Sequence, residues 1–147
     1  MGEPPYFVLI DRALRDEGTS LHHLPPSTWA LAPASLMERL AGRLDGLGQP
    51  VVIGAVWTTD APYRETAAAI ARAEHLGVLA VEMEAAALLR VCTGRDRDVV
   101  CVAHVTNTMA VHGEDFEKGE ADGAHDALEV LSAIVGALRP EHDTRSG

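Results

Sequence analysis

The sequence predicts an α/β domain with a largely parallel sheet and helices on both of its faces. Three observations lead there. Short apolar runs of strand type alternate with Ala- and Leu-rich runs of helical type. The strand candidates read as near-continuous apolar stretches, as strands covered on both faces do. Polar segments follow three of them, at Thr58-Thr59-Asp60, Glu82-Met83-Glu84 and Thr106-Asn107. In sheets of this kind ligands bind beyond the C-terminal ends of the strands.

The elements follow in order. Tyr6 to Asp11 is a buried strand candidate, and Arg12 to Pro26 reads as a loop because it holds Gly18-Thr19-Ser20 and Pro25-Pro26. Leu36, Leu40, Leu44 and Leu47 recur at helical spacing, with Ser35 as N-cap, Glu38 three residues on, and Gly48 as the stop. That predicts a helix over 34–47. Pro50 to Trp57 is a strand, and Thr58 to Arg64 a loop at its C-terminal end. Glu65 to His75 is Ala-rich and helical. Leu79 to Glu82 is the next strand and Met83 to Thr93 the next helix. Val99 to Thr106 is a further strand, and a long helix runs from about Ala121 to Leu138. The tail over 140–147 is expected to be disordered.

Composition narrows the function. The 147 residues are 47% apolar, enough for one domain with a core. No run approaches the roughly 18 apolar residues of a membrane span. The N-terminus has neither the basic region nor the apolar core of a signal peptide. Phe7 stands near where a myristoylation signal needs Ser or Thr. A cytoplasmic location and no membrane partner are expected. A net charge of −10 argues against a nucleic-acid surface. Cys92 and Cys101 have no metal-type spacing and read as small buried apolar residues. The seven histidines form no HExxH pattern, so no metal site is expected.

The run Val81-Glu82-Met83-Glu84-Ala85 is the most informative. It puts two carboxylates where a buried strand gives way to a helix. Acids at a helix N-terminus are stabilised by roughly 0.3–1 kcal/mol each. A carboxylate also accepts two hydroxyl protons at once, which suits vicinal hydroxyls of a sugar. Capping and sugar binding both stand at this point. In the segment from Thr58 to Glu65, Asp60 can cap or form an Asx-turn before Pro62. Tyr63 offers an aromatic face, and Arg64 can donate to the carbonyls of a base. A turn with a solvated arginine is the plainer alternative. Asn107 carries a donor and an acceptor that match a base edge, or it simply closes a strand. His104 reads as a core histidine. The loop around Arg15 and Gly18 leads into prolines and not a helix, so it lacks a phosphate-cradling N-terminus.

Three segments together, Ala13 to Ser20, Trp57 to Glu65 and Gly77 to Leu88, resemble the nucleoside phosphorylase family of uridine and purine nucleoside phosphorylases. The resemblance covers nearly the whole chain. It implies a three-layer phosphorylase/hydrolase-like α/β fold with a mixed, largely parallel central sheet flanked by helices. It also implies a pentosyltransferase reaction, in which phosphate cleaves the N-glycosidic bond of a nucleoside to give free base and ribose 1-phosphate. By resemblance Glu84 binds the ribose hydroxyls, Met83 lines the sugar, Glu82 supports the turn, and Asp60, Tyr63 and Arg64 flank the base. Asn107 stands where bacterial hexameric purine enzymes carry an Asp that protonates the purine, and an amide cannot donate a proton in that way. No cofactor is implied; inorganic phosphate is the co-substrate.

The family's N-terminal half, with its Gly-rich phosphate loop and phosphate-binding arginines, has no counterpart in this sequence. Residues 1–139 are therefore expected to form a truncated domain: a shortened chain, one completed by a second chain, or a reduced domain with another role. An unpaired sheet edge would then favour a homo-oligomer or association with another chain. A non-catalytic nucleoside- or base-binding module and a structural subunit are the alternatives to an enzyme.

Overall fold

The computed structural model describes residues 5–106 and 123–139. Asn107 and the tail over 140–147 lie outside the described residues.

The sheet is built on β1 (Tyr6–Asp16), with β3 (Val51–Thr59) parallel to it and β4 (Val78–Glu82) parallel to β3. On the other side of β1 lie two antiparallel neighbours. β5 (Val102–Val105) pairs with its first half and β2 (Trp29–Leu31) with its second. The sheet is thus mixed, with a parallel centre, as an α/β phosphorylase-type fold requires. Register breaks between Ile10 and Arg12 in β1 and between Ala55 and Val56 in β3 add local twist. β4 and β5 approach each other without pairing.

Alternation along β1 divides the core. Tyr6, Val8 and Ile10 face α3 (Ala85–Thr93), where they meet Ala85, Ala86 and Leu89. Phe7 and Leu9 face the opposite way, toward α1 (Ala34–Leu40) and α4 (Ala124–Leu138), where Leu40, Val130 and Ile134 close over them. α2 (Ala67–His75) covers Ala55, Trp57 and Val78. Gly54 sits where any Cβ would collide with the Leu79 side chain, so its lack of one permits β4 to pack closely.

Several boundaries differ from those the sequence predicts, each for a physical reason. β1 runs five residues beyond Asp11, because Arg15 and Asp16 find ladder partners in Thr58 and Thr59 of β3. β2 is too short for any periodicity to register, and is held by its register on Arg12 to Leu14. The predicted helix over 34–47 stops at Leu40, where Ala41 turns extended and Gly42 takes a φ of 69°. Leu44 still reaches the core from the following turns, so its helical spacing reports burial and not helix. Thr66, and not Glu65, starts α2, its hydroxyl accepting from the Ala69 amide at 3.2 Å. β5 is shorter than predicted and runs against β1. An apolar run specifies neither direction nor full burial: in β3, Ala55 to Thr59 are buried while Val52 and Ile53 are exposed, so this strand is not covered on both faces along its length.

Candidate functional site

The four leading amides of a helix have no intrahelical acceptor. At α3 three of them, on Glu84, Ala85 and Ala86, are met by side chains of the strands below. Glu82, the last residue of β4, accepts from the Glu84 amide at 2.8 Å and the Ala85 amide at 2.6 Å through one carboxylate oxygen. Its other oxygen accepts from the Thr58 hydroxyl. The Thr58 oxygen in turn accepts from the Ala86 amide at 3.0 Å. Thr58 stands opposite Glu82 in the parallel β3–β4 register, which is what brings them together. Both oxygens of Glu82 are therefore engaged within the protein.

Glu84 differs. It occupies the N-cap position of α3 without a capping bond to that helix. The hydrogen bond it accepts among the described residues comes from the adjacent Met83 amide and is long, at 3.3 Å. Both acids line a cleft of about 590 Å³, bounded by β4, the first turn of α3, residues Val100 to Val105, and Leu131 and Ile134 of α4. Among the described residues its lining is apolar apart from the two acids and His104, with Cys101 among it, and includes no Lys or Arg. Burial pushes the Cys101 thiol up to about 11, with Glu82 adding to the shift. Burial also holds the His104 imidazole below its usual range, against a smaller opposing pull from Asp126. His104 stacks on Phe7 with ring centroids 4.3 Å apart, and its buried Nε2 has no hydrogen-bond partner among the described residues. A carboxylate with free lone pairs at the mouth of an apolar cleft can accept from two hydroxyls of a ligand with little competition from other side chains.

The remaining predicted residues lie elsewhere. Met83 is exposed beside the cleft and is not part of its lining. The Asp60 carboxylate accepts from the Gly18 amide at 3.1 Å and faces a second depression, about 420 Å³, with Arg15, Asp16 and Glu17. Tyr63 is 87% exposed on a 3-10 turn, Pro62–Arg64, and neither Tyr63 nor Arg64 lines the cleft at Glu84. Asn107 lies outside the described residues.

Sequence reasoning passed over Thr58, whose signal was available: a hydroxyl at the end of an apolar strand must find partners once buried. Thr58 is fully buried. It sets aside the loop around Arg15 as an anion site but does not foresee the structural role of Arg15. There Nε donates to Ser20 Oγ at 2.8 Å, and one Nη donates to the Pro25 carbonyl and Ser27 Oγ, both at 2.9 Å. The Ser20 amide donates to Glu17 at 2.9 Å. Among the described residues no group of three or more His, Cys, Asp or Glu side chains is placed to hold a metal ion. No helix among them is long and apolar enough to cross a membrane.

Comparison with known proteins fits this geometry to a family. The chain matches the phosphorylase superfamily over residues 3–136 and belongs to it. A purine nucleoside phosphorylase of DeoD type from Colwellia psychrerythraea is 35% identical over 78 residues, which is 53% of this chain. The matched stretch spans 33% of that relative.

Proposed function

We propose that the chain is nucleoside phosphorylase-like and that its cleft holds the sugar of a nucleoside against Glu84. The observation that carries this reading is the Glu84 carboxylate, held among the described residues only by one long bond from the Met83 amide, in a mostly apolar cleft beside Glu82, whose two oxygens are both engaged. Membership of the phosphorylase superfamily and the name of the Colwellia relative support it. In the proposed reaction, phosphate displaces the base from C1′ of ribose, giving free base and ribose 1-phosphate. The transition state carries positive charge on the sugar ring, so a carboxylate that grips the ring hydroxyls helps twice. It fixes the ring, and its charge opposes the developing cation. Tyr63 and Arg64 of the Pro62–Arg64 turn, with Asp60, are the proposed base-side groups by family resemblance, although all three lie outside the lining of the Glu84 cleft, and Asn107 is the proposed contact to the base edge. Met83 flanks the sugar in the same reading. Among the described residues the cleft lining holds no Lys or Arg, and the groups that hold phosphate are not assigned. No cofactor enters the proposed reaction, and phosphate is a substrate.

The test is release of uracil from uridine and hypoxanthine from inosine by the purified chain, with and without phosphate. Phosphate-dependent release that is lost in Glu84→Ala is the expected result. Saturable nucleoside binding without release would leave a nucleoside-binding module in place of an enzyme. Neither binding nor release would end the proposal.

A second reading rests on a different observation. The outer edges of β4 and β5 have no partner strand among the described residues. Such edges recruit further strands. This reading makes the chain a subunit that pairs with another copy or chain. Light scattering over a tenfold range of concentration tests it, and a strictly monomeric chain would sink the copy-pairing form.

A further inference from the structure

We propose that Thr58 is the positioning residue of the sugar site: through Glu82 it fixes the turn that delivers the Glu84 carboxylate to the cleft. This rests on the nucleoside reading above. The argument starts from a single hydroxyl. Thr58 is fully buried at the end of β3, where its Oγ1 donates to Glu82 and accepts from the Ala86 amide. A hydroxyl can do both at once; an amine or an amide nitrogen cannot. Glu82 passes the constraint on, accepting from the amides of Glu84 and Ala85. Three successive amides at the start of α3 thus hang from two side chains on two strands. Glu84 itself gains no comparable anchor, its one described bond being the long contact from Met83. Where its carboxylate sits is therefore decided by its backbone, and that backbone is held by Thr58 and Glu82. The same relay keeps Glu82 turned inward, so that a single carboxylate faces the ligand.

Valine has the shape of threonine without the hydroxyl. Thr58→Val leaves Glu82 with an unpaired oxygen and the Ala86 amide without an acceptor. Thr58→Ser restores both bonds. The readout is a ratio: affinity for inosine over affinity for 2′,3′-dideoxyinosine, which lacks the diol. Expected is a ratio that falls about tenfold in Thr58→Val, through loss of inosine affinity alone, and returns to within about twofold in Thr58→Ser. Equal weakening of both nucleosides, or an unchanged ratio, would overturn the proposal, because loss of fold alone lowers both together. The second measurement is amide hydrogen exchange in the free full-length chain. Expected is faster exchange at Glu84, Ala85 and Ala86 in Thr58→Val, restored by Ser, with the Ala41 amide, which donates to the Met37 carbonyl at the end of α1, as an unaffected reference. Acceleration at Ala86 alone would overturn the relay through Glu82. If Thr58→Val does not fold, Glu82→Gln replaces it, and an unchanged ratio there is equally decisive against the proposal. If the wild-type chain does not distinguish the two nucleosides, the nucleoside reading fails, and the exchange measurement alone still decides whether Thr58 holds the turn.

Discussion

The corner at Arg15 and the junction at Glu82 are built from the same ingredients and end differently. Each takes a charged residue at the C-terminal end of a strand and ties it to a hydroxyl and to backbone groups. At the corner, Arg15 and Glu17 shape a loop through bonds to Ser20 and to the Pro25–Ser27 segment, while Arg15 Nη2 and Glu17 Oε1 lie buried without a hydrogen-bond partner among the described residues. At the junction, Glu82 does the same work for α3, but a second acid follows two residues later with nothing comparable to satisfy it. The difference teaches that the presence of a charged side chain near a strand end says little about ligands. What matters is whether the surrounding structure has already used its lone pairs or protons.

The comparison breaks most forcefully at the corner. Arg15→Ala removes a guanidinium that joins three segments, and it is expected to destabilise the chain by about 2 kcal/mol, most of it from charged hydrogen bonds. Urea unfolding measures this, and a midpoint equal to wild type would show that the corner is ornamental. The complementary substitution, Glu84→Ala, is expected to leave that midpoint within about 0.5 kcal/mol, since Glu84 is exposed and weakly bonded. It should weaken inosine binding about tenfold, equivalent to about 1.4 kcal/mol. Calorimetric titration reads the difference; intact affinity would remove Glu84 from the site.

The cleft wall sharpens the contrast further. His104 is half-buried and stacked on Phe7, and partial burial holds its imidazole below the ordinary range against a smaller opposing pull from Asp126. An unfolded chain then binds more protons than the folded one as pH falls through about 6.5. Stability from this residue is full above that value and is lost as pH drops toward the folded-state pKa. Urea midpoints at pH 7 and pH 5 should differ more in wild type than in His104→Phe, a substitution that keeps the stack on Phe7. The smallest expected effect is chemical. With its thiol pushed up to about 11, Cys101 should react with iodoacetamide at pH 8 far more slowly than Cys92, which is less buried. Peptide mapping of a partial alkylation distinguishes the two.

Much of this molecule was legible from residue order. Tyr6 to Ile10, Val51 to Trp57 and Val78 to Val81 are apolar enough to declare themselves buried strands, and the Ala-rich stretches between them declare helices. The two acids at the β4–α3 step were equally visible. Less visible were β2, whose three residues carry no period, and the early end of α1, where Leu44 keeps a helical spacing while reaching the core from a turn. The turn bearing Tyr63 and Arg64 could be read as a loop, but its position outside the Glu84 cleft could not.

By itself the sequence determined where apolar strands and helices lie, where strand gives way to helix, and that carboxylates stand at that step, because hydrophobic periodicity and helix propensity are local properties of the chain; it did not determine that Val52 and Ile53 in β3 are exposed. Only the tertiary structure decided that β5 runs against β1 and that both oxygens of Glu82 are engaged while Glu84, among the described residues, accepts only a long bond from Met83. Those outcomes depend on partners distant along the chain, Thr58 being 24 residues from Glu82. No local pattern encodes the distance between a hydroxyl on one strand and a carboxylate on the next; the register of the sheet does.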